Sequence, residues 1–293
     1  MIDLSIIIVS YNTRKFLKEC INSLSECISK KIEYEIIVVD NDSSDNSVEM
    51  LKKDFPQIKL IANKENVGFS KANNQGVKAS RESRYVLFLN SDTLMKRNTI
   101  EEMVIFMDGH GDAGASTCKL VMPGGKIDDA SHRGFPTPWN SFTHFCGLEG
   151  LFPKNTFFSG YSLGWMDFEK IHEIDVLAGA FMLVRRIAGE EVKWWDEDYF
   201  FYGEDIDFCF LLKEKGWKIY YVPGVSIIHY KGISGGIKEI SKEITTASDE
   251  TKRKATKSRF NAMRIFYKKH YSQKYPRIIN LLVNVGIWVK EGL

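Results

Sequence analysis

The chain has 293 residues, 44% of them hydrophobic and 27% charged, a balance that excludes a disordered or collagen-like polymer and allows one large or two modest domains. Its formal net charge is only +2, from 40 Lys and Arg against 38 Asp and Glu, which argues against a nucleic-acid partner. The charge is segregated, however: Thr251 to Arg277 holds ten basic residues and no acid, leaving 30 basic and 38 acidic residues, or −8, elsewhere.

In chain order, the first hundred residues alternate continuous apolar runs with helical patterns, the habit of a parallel sheet covered on both faces. Strands are expected at Leu4–Ser10, Glu35–Asp40, Lys59–Ala62 and Tyr85–Asn90, and helices at Arg14–Ser29, Ser44–Asp54, Ser70–Ser80 and Ile100–Met107, with Thr13 and Ser43 as caps. A strand is expected at Gly114–Val121, after which Pro123 to Lys170 has no period and reads as a long functional loop or an insertion. Asp175–Arg186 reads as a strand, Trp194–Trp217 as an acidic aromatic turn entering a helix, and Lys218–His229 as a strand pair broken at Pro223-Gly224. From Ser248 the pattern is helical, with Phe260, Met263, Tyr267, His270 and Tyr271 on one face and Lys254, Lys257, Lys268 and Lys269 turned from it.

The five cysteines (Cys20, Cys27, Cys118, Cys146 and Cys209) form no paired motif, so neither a disulfide framework nor a structural zinc site is expected. The N-terminus runs straight into a strand pattern without a basic leader, and no apolar run reaches the roughly 20 residues of a membrane span. A cytoplasmic location is the expectation.

In open α/β sheets ligands bind outside the carboxyl ends of the strands. Those ends are polar here: Ser10-Tyr11-Asn12, Asp40-Asn41-Asp42 and Asn90-Ser91-Asp92. Neither a GxGxxG fingerprint nor a Walker-type phosphate loop follows the first strand. Tyr11 and Asp40 suit a clamp on a nucleoside, and equally suit packing and helix capping. The polar, Gly-containing loop Asn63–Ser70 opens a helix whose amides and Lys71 suit a nucleotide, although Asn and Gly are also ordinary turn residues. Asp92 and His229 are an oxygen and an imidazole ligand for Mg²⁺ or Mn²⁺, or a helix cap and a structural histidine. From Trp194 to Asp205, eleven of twelve residues are aromatic or acidic. Such a run fits sugar-binding faces around a carboxylate base, or acids stabilising a helix dipole.

Taken together, Ser10-Tyr11-Asn12, the run Val39-Asp40-Asn41 with Ser43, Asp45 and Ser47, the set Asn66, Gly68-Phe69, Ala72, Asn74 and Gly76, Leu89-Asn90 with Asp92, and Gly203-Glu204-Asp205 with Asp207 resemble a family 2 glycosyltransferase. Within it the bacterial rhamnosyltransferase-like branch is the most similar. The resemblance runs from about residue 3 to about 236. It implies an α/β protein of the GT-A fold, a Rossmann-like nucleotide-binding half (1–110) and an acceptor-binding half (111–236) on one mixed sheet, followed by a basic helical segment (237–293). It implies inverting transfer of a single sugar, rhamnose by branch, from a nucleoside-diphosphate sugar to a hydroxyl of a cell-surface glycan or lipid-linked precursor. By motif position Val9, Tyr11, Asp40, Lys71, Ser91 and Asp92 bind the nucleotide, Asp92 and His229 bind a divalent cation (Mn or Mg), and Asp205 is the catalytic base. Trp194, Trp195 and Glu204 are placed at the acceptor.

Asn90 stands where a full DxD motif has its first acid, Leu211 where many relatives carry an arginine, and the QxxRW signature of processive synthases is missing after His229. A non-catalytic glycan- or nucleotide-binding relative is the alternative. A sugar nucleotidyltransferase would need a Gly-rich basic loop that Ser10–Thr13 does not supply. The basic segment 250–293, with its apolar Ile278–Val289 stretch, suits either an anionic membrane surface on the inner face of the cytoplasmic membrane or packing on the body or a second subunit of a homodimer.

Overall fold

The computed structural model describes residues 1–238 and 242–292. Its first half follows the expected alternation: β1 (Ile2–Ser10), α1 (Arg14–Cys27), β2 (Tyr34–Asp40), α2 (Ser47–Asp54), β3 (Lys59–Ala62), α3 (Phe69–Ala79) and β4 (Ser83–Asn90). The two-residue β5 (Thr93–Leu94), α4 (Thr99–Gly109) and β6 (Ala113–Val121) come next. The aperiodic stretch contains a 3-10 turn at Asp129–Ser131, α5 (Pro138–Phe145) and α6 (Leu148–Leu151). Then follow β7 (His172–Glu173), β8 (Phe181–Arg185), α7 (Arg186–Glu191), α8 (Glu204–Glu214) and β9 (Lys218–His229). The chain closes with α9 (Asp249–Phe266), a π-helical turn at Tyr267–Tyr271, and α10 (Arg277–Gly292).

The nine strands of the described residues belong to one mixed sheet in the order β3-β2-β1-β4-β8-β6-β9-β5, with β7 also on β9. β1 pairs in parallel with β2 and β4, while β8 is antiparallel to β4 and β6. The pleat sends Leu4, Ile6 and Ile8 to a core shared with α1, α2 and α4, and Ile7 to a second core with α3, α7 and α8. Full burial of each such side chain contributes roughly 1.5–3 kcal/mol, which is why these runs are apolar on both faces. The registers Ser10 with Asp40 and Val9 with Asn90 align the polar strand ends along one edge.

Several local expectations are corrected. β9 is one strand, not two: its pairing with β6 jumps from Cys118–Val222 to Lys119–Ser226, because Pro223 has no N–H for the ladder and is absorbed with Gly224 in a bulge. Of Asp175–Arg186 only Phe181–Arg185 is strand. Thr13 and Ser43 do not cap by side chain; Thr13 Oγ1 hydrogen-bonds the Ser10 and Ser91 hydroxyls at 3.0 and 2.9 Å, and Ser43 Oγ accepts from Asn12 N at 2.8 Å. Asp45 serves both helices instead, accepting from Arg14 N at 2.7 Å and Ser47 N at 3.1 Å. The five cysteines are all unpaired.

The tail packs on the body through part of the expected face. Ala262, Phe266, Tyr267 and Tyr271 form a cluster with Tyr199 and Phe210, whereas Phe260 takes no place in it. The His270 and Asp207 side chains meet at 2.6 Å beneath it. No described helix is long and apolar enough to cross a membrane.

Gly76 lets α3 sit on β1: a Cβ there would lie 2.5 Å from Ile7 Cγ2. Ile7 is fully buried and has no room to retreat. Gly76→Ala is expected to cost about 1–3 kcal/mol, read as a lowered denaturation midpoint; an unchanged midpoint would mean that α3 lifts without loss.

Candidate functional site

One cavity of about 1710 Å³ runs along the polar strand ends and into the second half of the chain. Its first end is lined by Val9, Tyr11, Asn41 and Asp42. Asn41 ties this end to the loop before α3: its Nδ2 donates to Asn66 Oδ1 at 3.0 Å and Gly68 O at 3.1 Å, and its Oδ1 accepts from Val67 N at 3.2 Å. Gly68 has φ +88°, and a Cβ on it would meet the Phe200 carbonyl at 2.8 Å, so a side chain is excluded there. Asp40 lies behind this wall. It is 1% exposed, with Oδ1 accepting from Ser43 N at 2.9 Å and Oδ2 buried without a partner. Burial raises its pKa above the ordinary carboxylate value, against the opposing Ser43 hydrogen bond.

Further along, the β5–β9 pairing sets Thr93 opposite His229 and so brings Asp92 beside the imidazole. His229 Nε2 lies 3.5 Å from Asp92 Oδ1 and has no hydrogen-bond partner, while Nδ1 is 2.8 Å from Asp128 Oδ2. Lys231 Nζ donates to Asp128 Oδ1 at 2.5 Å, and Ala130 N donates to the same oxygen at 2.9 Å. Burial works against a charged imidazole, but Asp92's charge and Asp128's hydrogen bond outweigh it and lift the His229 pKa to about 9. The residues fit a divalent cation. An orphaned, buried nitrogen faces a carboxylate, and the other ring nitrogen is fixed by a second carboxylate, as metal-binding histidines commonly are. Asp92 and His229 are a pair; no group of three such side chains is arranged for a metal among the described residues.

The third part is the turn into α8. Gly203 has φ +83°, which starts the helix so that Glu204 and Asp205 line the cavity. Asp205 Oδ2 accepts from Arg133 Nη2 at 2.6 Å and Oδ1 from Ile206 N at 2.9 Å. Arg133 is itself held by donation to Ala130 O at 3.0 Å and Leu177 O at 3.2 Å. Glu204 is buried, its Oε2 has no partner, and burial followed by Asp205's charge pushes its pKa above the usual glutamate range. Asp207 is turned away from the cavity, accepting from Tyr199 OH at 2.9 Å.

Of the residues singled out in the sequence, the fold gathers Val9, Tyr11, Ser91, Asp92, Glu204, Asp205 and His229 on one cavity. Others are not there. Trp195 is 2% exposed, stacked on Phe208 with ring centroids 4.9 Å apart, so its ring face is spent in the core. Trp194 packs with it, on Gly189 and near the Arg186 guanidinium. The acceptor position expected for both tryptophans is thereby corrected. Lys71 is exposed on α3 and does not line the cavity. Sequence reasoning missed Asp128, Arg133 and Lys231. The first two lie in the aperiodic stretch, where no period or motif marks them.

Residues 5–174 match the model of the family described as Glycosyl transferase family 2. The chain is 29% identical over 233 residues to "Rhamnosyltransferase WbbL" of Escherichia coli (strain K12), covering 77% of this chain and 82% of that protein. It is 25% identical over 243 residues to "N-acetylglucosaminyl-diphospho-decaprenol L-rhamnosyltransferase" of Mycobacterium tuberculosis (strain CDC 1551 / Oshkosh), covering 80% and 78%. Among solved structures, that of GalNAc-T7 with UDP, GalNAc and Mn²⁺ has a TM-score of 0.58 at 14% identity, over 78% of this chain and 44% of that one. That last likeness is one of fold.

The raised pKa of Glu204 is a statement about stability. Its folded value lies above the ordinary 4.5, so its contribution is full below 4.5 and is lost as pH rises through the folded value. Glu204→Gln removes that dependence. Its melting temperature relative to the unsubstituted protein is expected to rise steadily above pH 4.5, and a constant difference would show that the carboxyl is not held protonated.

Proposed function

We propose a reaction from one premise: this chain belongs to glycosyl transferase family 2 and is a glycosyltransferase of the GT-A fold. It transfers a single sugar from a nucleoside-diphosphate sugar to a hydroxyl of a glycan or lipid-linked acceptor, with inversion at the anomeric carbon. The observation that carries the reading is the single cavity joining the strand ends of β1 and β2, the Asp92–His229 pair and the Glu204–Asp205 turn. The relatives named for rhamnosyl transfer favour rhamnose as the sugar.

In this reading residues 1–110 bind the donor, 111–236 the acceptor, and 237–293 form an accessory segment. Val9 and Tyr11 flank the nucleoside, with Asn41 and Asp42 beside them and Asp40 supporting the wall. Ser91 and Asp92 face the diphosphate. Asp92 and His229 hold the divalent cation, which when bound neutralises charge developing on the leaving diphosphate. Asp128 positions His229, and Lys231 balances Asp128.

Asp205 takes the proton of the acceptor hydroxyl. The oxygen forms its bond to the anomeric carbon as the bond from that carbon to the diphosphate breaks on the opposite face, and the electron pair leaves with the nucleoside diphosphate. Arg133 fixes the Asp205 carboxylate, each of whose oxygens keeps a lone pair beyond its present partner. Glu204, protonated by burial, is available as a hydrogen-bond donor to the acceptor.

General-base assistance contributes roughly 10²–10⁴-fold. Asp205→Asn is therefore expected to lower kcat at least about 10²-fold while donor binding, read by thermal shift with nucleoside-diphosphate sugars, persists. A rate within a few-fold of the original would remove Asp205 from the reaction.

A further inference from the structure

An apolar surface adjoins the far end of the cavity and continues beyond it. On α10 the side chains Ile278, Leu281, Leu282, Val285, Trp288 and Val289 are between 44% and 71% exposed. At 100° per residue they fall within about 120° of arc, one stripe of the helix. The helix is not loose. Its other side is fixed by Val283 in the aromatic cluster of the tail, by buried Ile287, and by Asn280, which accepts from Tyr267 OH at 2.6 Å and donates to Ser272 O at 2.9 Å. Packing on the body thus uses one face and leaves an equally apolar one outward.

A second patch adjoins it. Trp139, Phe142 and Phe145 of α5 are 40%, 55% and 38% exposed, and Leu151, Phe152 and Phe157 behind them 73%, 48% and 61%. Lys290 of α10 lies 5.5 Å from the Phe145 ring centroid, so the two patches meet. Twelve of the eighteen large apolar side chains exposed among the described residues come from these two short stretches. Scattered exposure of single residues is ordinary; a concentration of this kind marks an interaction surface.

Charge and geometry favour one occupant. Lys154, Arg277 and Lys290 have no acidic partner among the described residues, whereas Glu291 is paired with Arg264, which leaves Glu149 as the single acid of these two stretches without a Lys or Arg partner. The rim of the patch is therefore cationic, and it carries two exposed tryptophans, the aromatic that settles at the boundary of water and hydrocarbon. As described, α10 runs from Arg277 to Gly292. An apolar stripe with basic ends on such a helix suits lying in the interface plane of an anionic membrane. Both elements also wall the cavity that contains Asp205, through Phe142 and Phe145 on one side and Leu282 and Val289 on the other.

We infer that the outward stripe of α10 and the exposed aromatics of residues 139–157 form one platform that seats on an anionic phospholipid bilayer and holds the mouth of the cavity against it. Combined with the transfer proposed above, on which this consequence rests, an acceptor anchored in the bilayer reaches Asp205 without leaving the membrane. The basic residues of α9 are secondary, since the apolar side of that helix is spent on the body.

The test is co-sedimentation of the full chain with vesicles of phosphatidylglycerol and phosphatidylcholine, and with vesicles of phosphatidylcholine alone. The variant combines Leu281→Gln, Val285→Gln and Trp288→Gln, three side chains that do not line the cavity. The unsubstituted chain is expected to partition onto the anionic vesicles, less onto the neutral ones, and the variant to lose at least tenfold in partition. Equal partition of the variant, or none by the unsubstituted chain, overturns the platform. So does a lipid-free dimer in sedimentation velocity that the same substitutions dissociate, because a second copy then covers the face. Thermal shift with a nucleoside-diphosphate sugar, run on both proteins, keeps the two readings apart: its failure in both would strike the transfer and leave the vesicle result standing.

Discussion

The arrangement depends on the pairing of two residues of β5 with the end of β9. Thr93 opposite His229 is a short ladder at the edge of the sheet, yet it closes the second half of the chain onto the carboxyl end of β4. Asp92 comes from the first half of the chain and His229 from the second. Four ionisable groups are drawn together there, Asp92, Asp128, His229 and Lys231, with the first three nearly or fully buried. Concentrating such charges is unfavourable unless each is partnered. Here every one has a counter-charge, and the atom left without a hydrogen bond is His229 Nε2. An orphan at the centre of an otherwise satisfied buried network is the signature of a site prepared for a ligand rather than for stability.

The same logic explains which parts of the fold could be read in the sequence. β1, β2 and β4 were legible because a strand buried on both faces must be apolar throughout, and their polar ends stand out by contrast; β3, at the sheet edge and nowhere fully buried, was legible only by its place in the alternation. His229 stood out for the same reason, at the end of an apolar run, whereas Asp205, amid aromatic and acidic neighbours, was singled out only by the resemblance of Gly203-Glu204-Asp205 with Asp207. Asp128 and Arg133 were not, since they act through tertiary contacts made by a stretch whose local sequence carries no period. Trp194 and Trp195 misled in the opposite direction: an aromatic run beside acids suits a sugar platform, but the rings were needed to fill the space between β4 and α8. The two-residue strands β5 and β7 are below the length at which periodicity exists, although one of them organises the site. At Pro223-Gly224 the turn chemistry was real, and sheet pairing on both sides converted the break into a bulge.

Charge segregation along the chain also acquires a structural meaning. The basic tail is an integral layer of the protein: the His270 and Asp207 side chains meet, and Lys269 meets Asp196 and Asp198, so Lys269 answers acids shortly before the Glu204–Asp205 turn. The π-helical turn, with Phe266 at the end of α9 packed on Phe210, thus braces α8, and α8 in turn presents Glu204 and Asp205. Of the described tail, α10, beyond this brace, keeps an apolar face outward, and it does so beside the cavity.

The central claim is that Asp92 and His229, with Asp128 behind the imidazole, form a cation site for the donor diphosphate. Its most direct measurement is binding of Mn²⁺ in the presence of UDP, followed by the electron paramagnetic resonance of the free ion, for the unsubstituted protein and for Asp128→Asn with its folding checked by circular dichroism. Loss of a carboxylate that orients a metal-bound histidine typically costs about 10–100-fold in affinity, and that weakening is the predicted result. Mn²⁺ binding of equal strength in the two folded proteins would contradict the account.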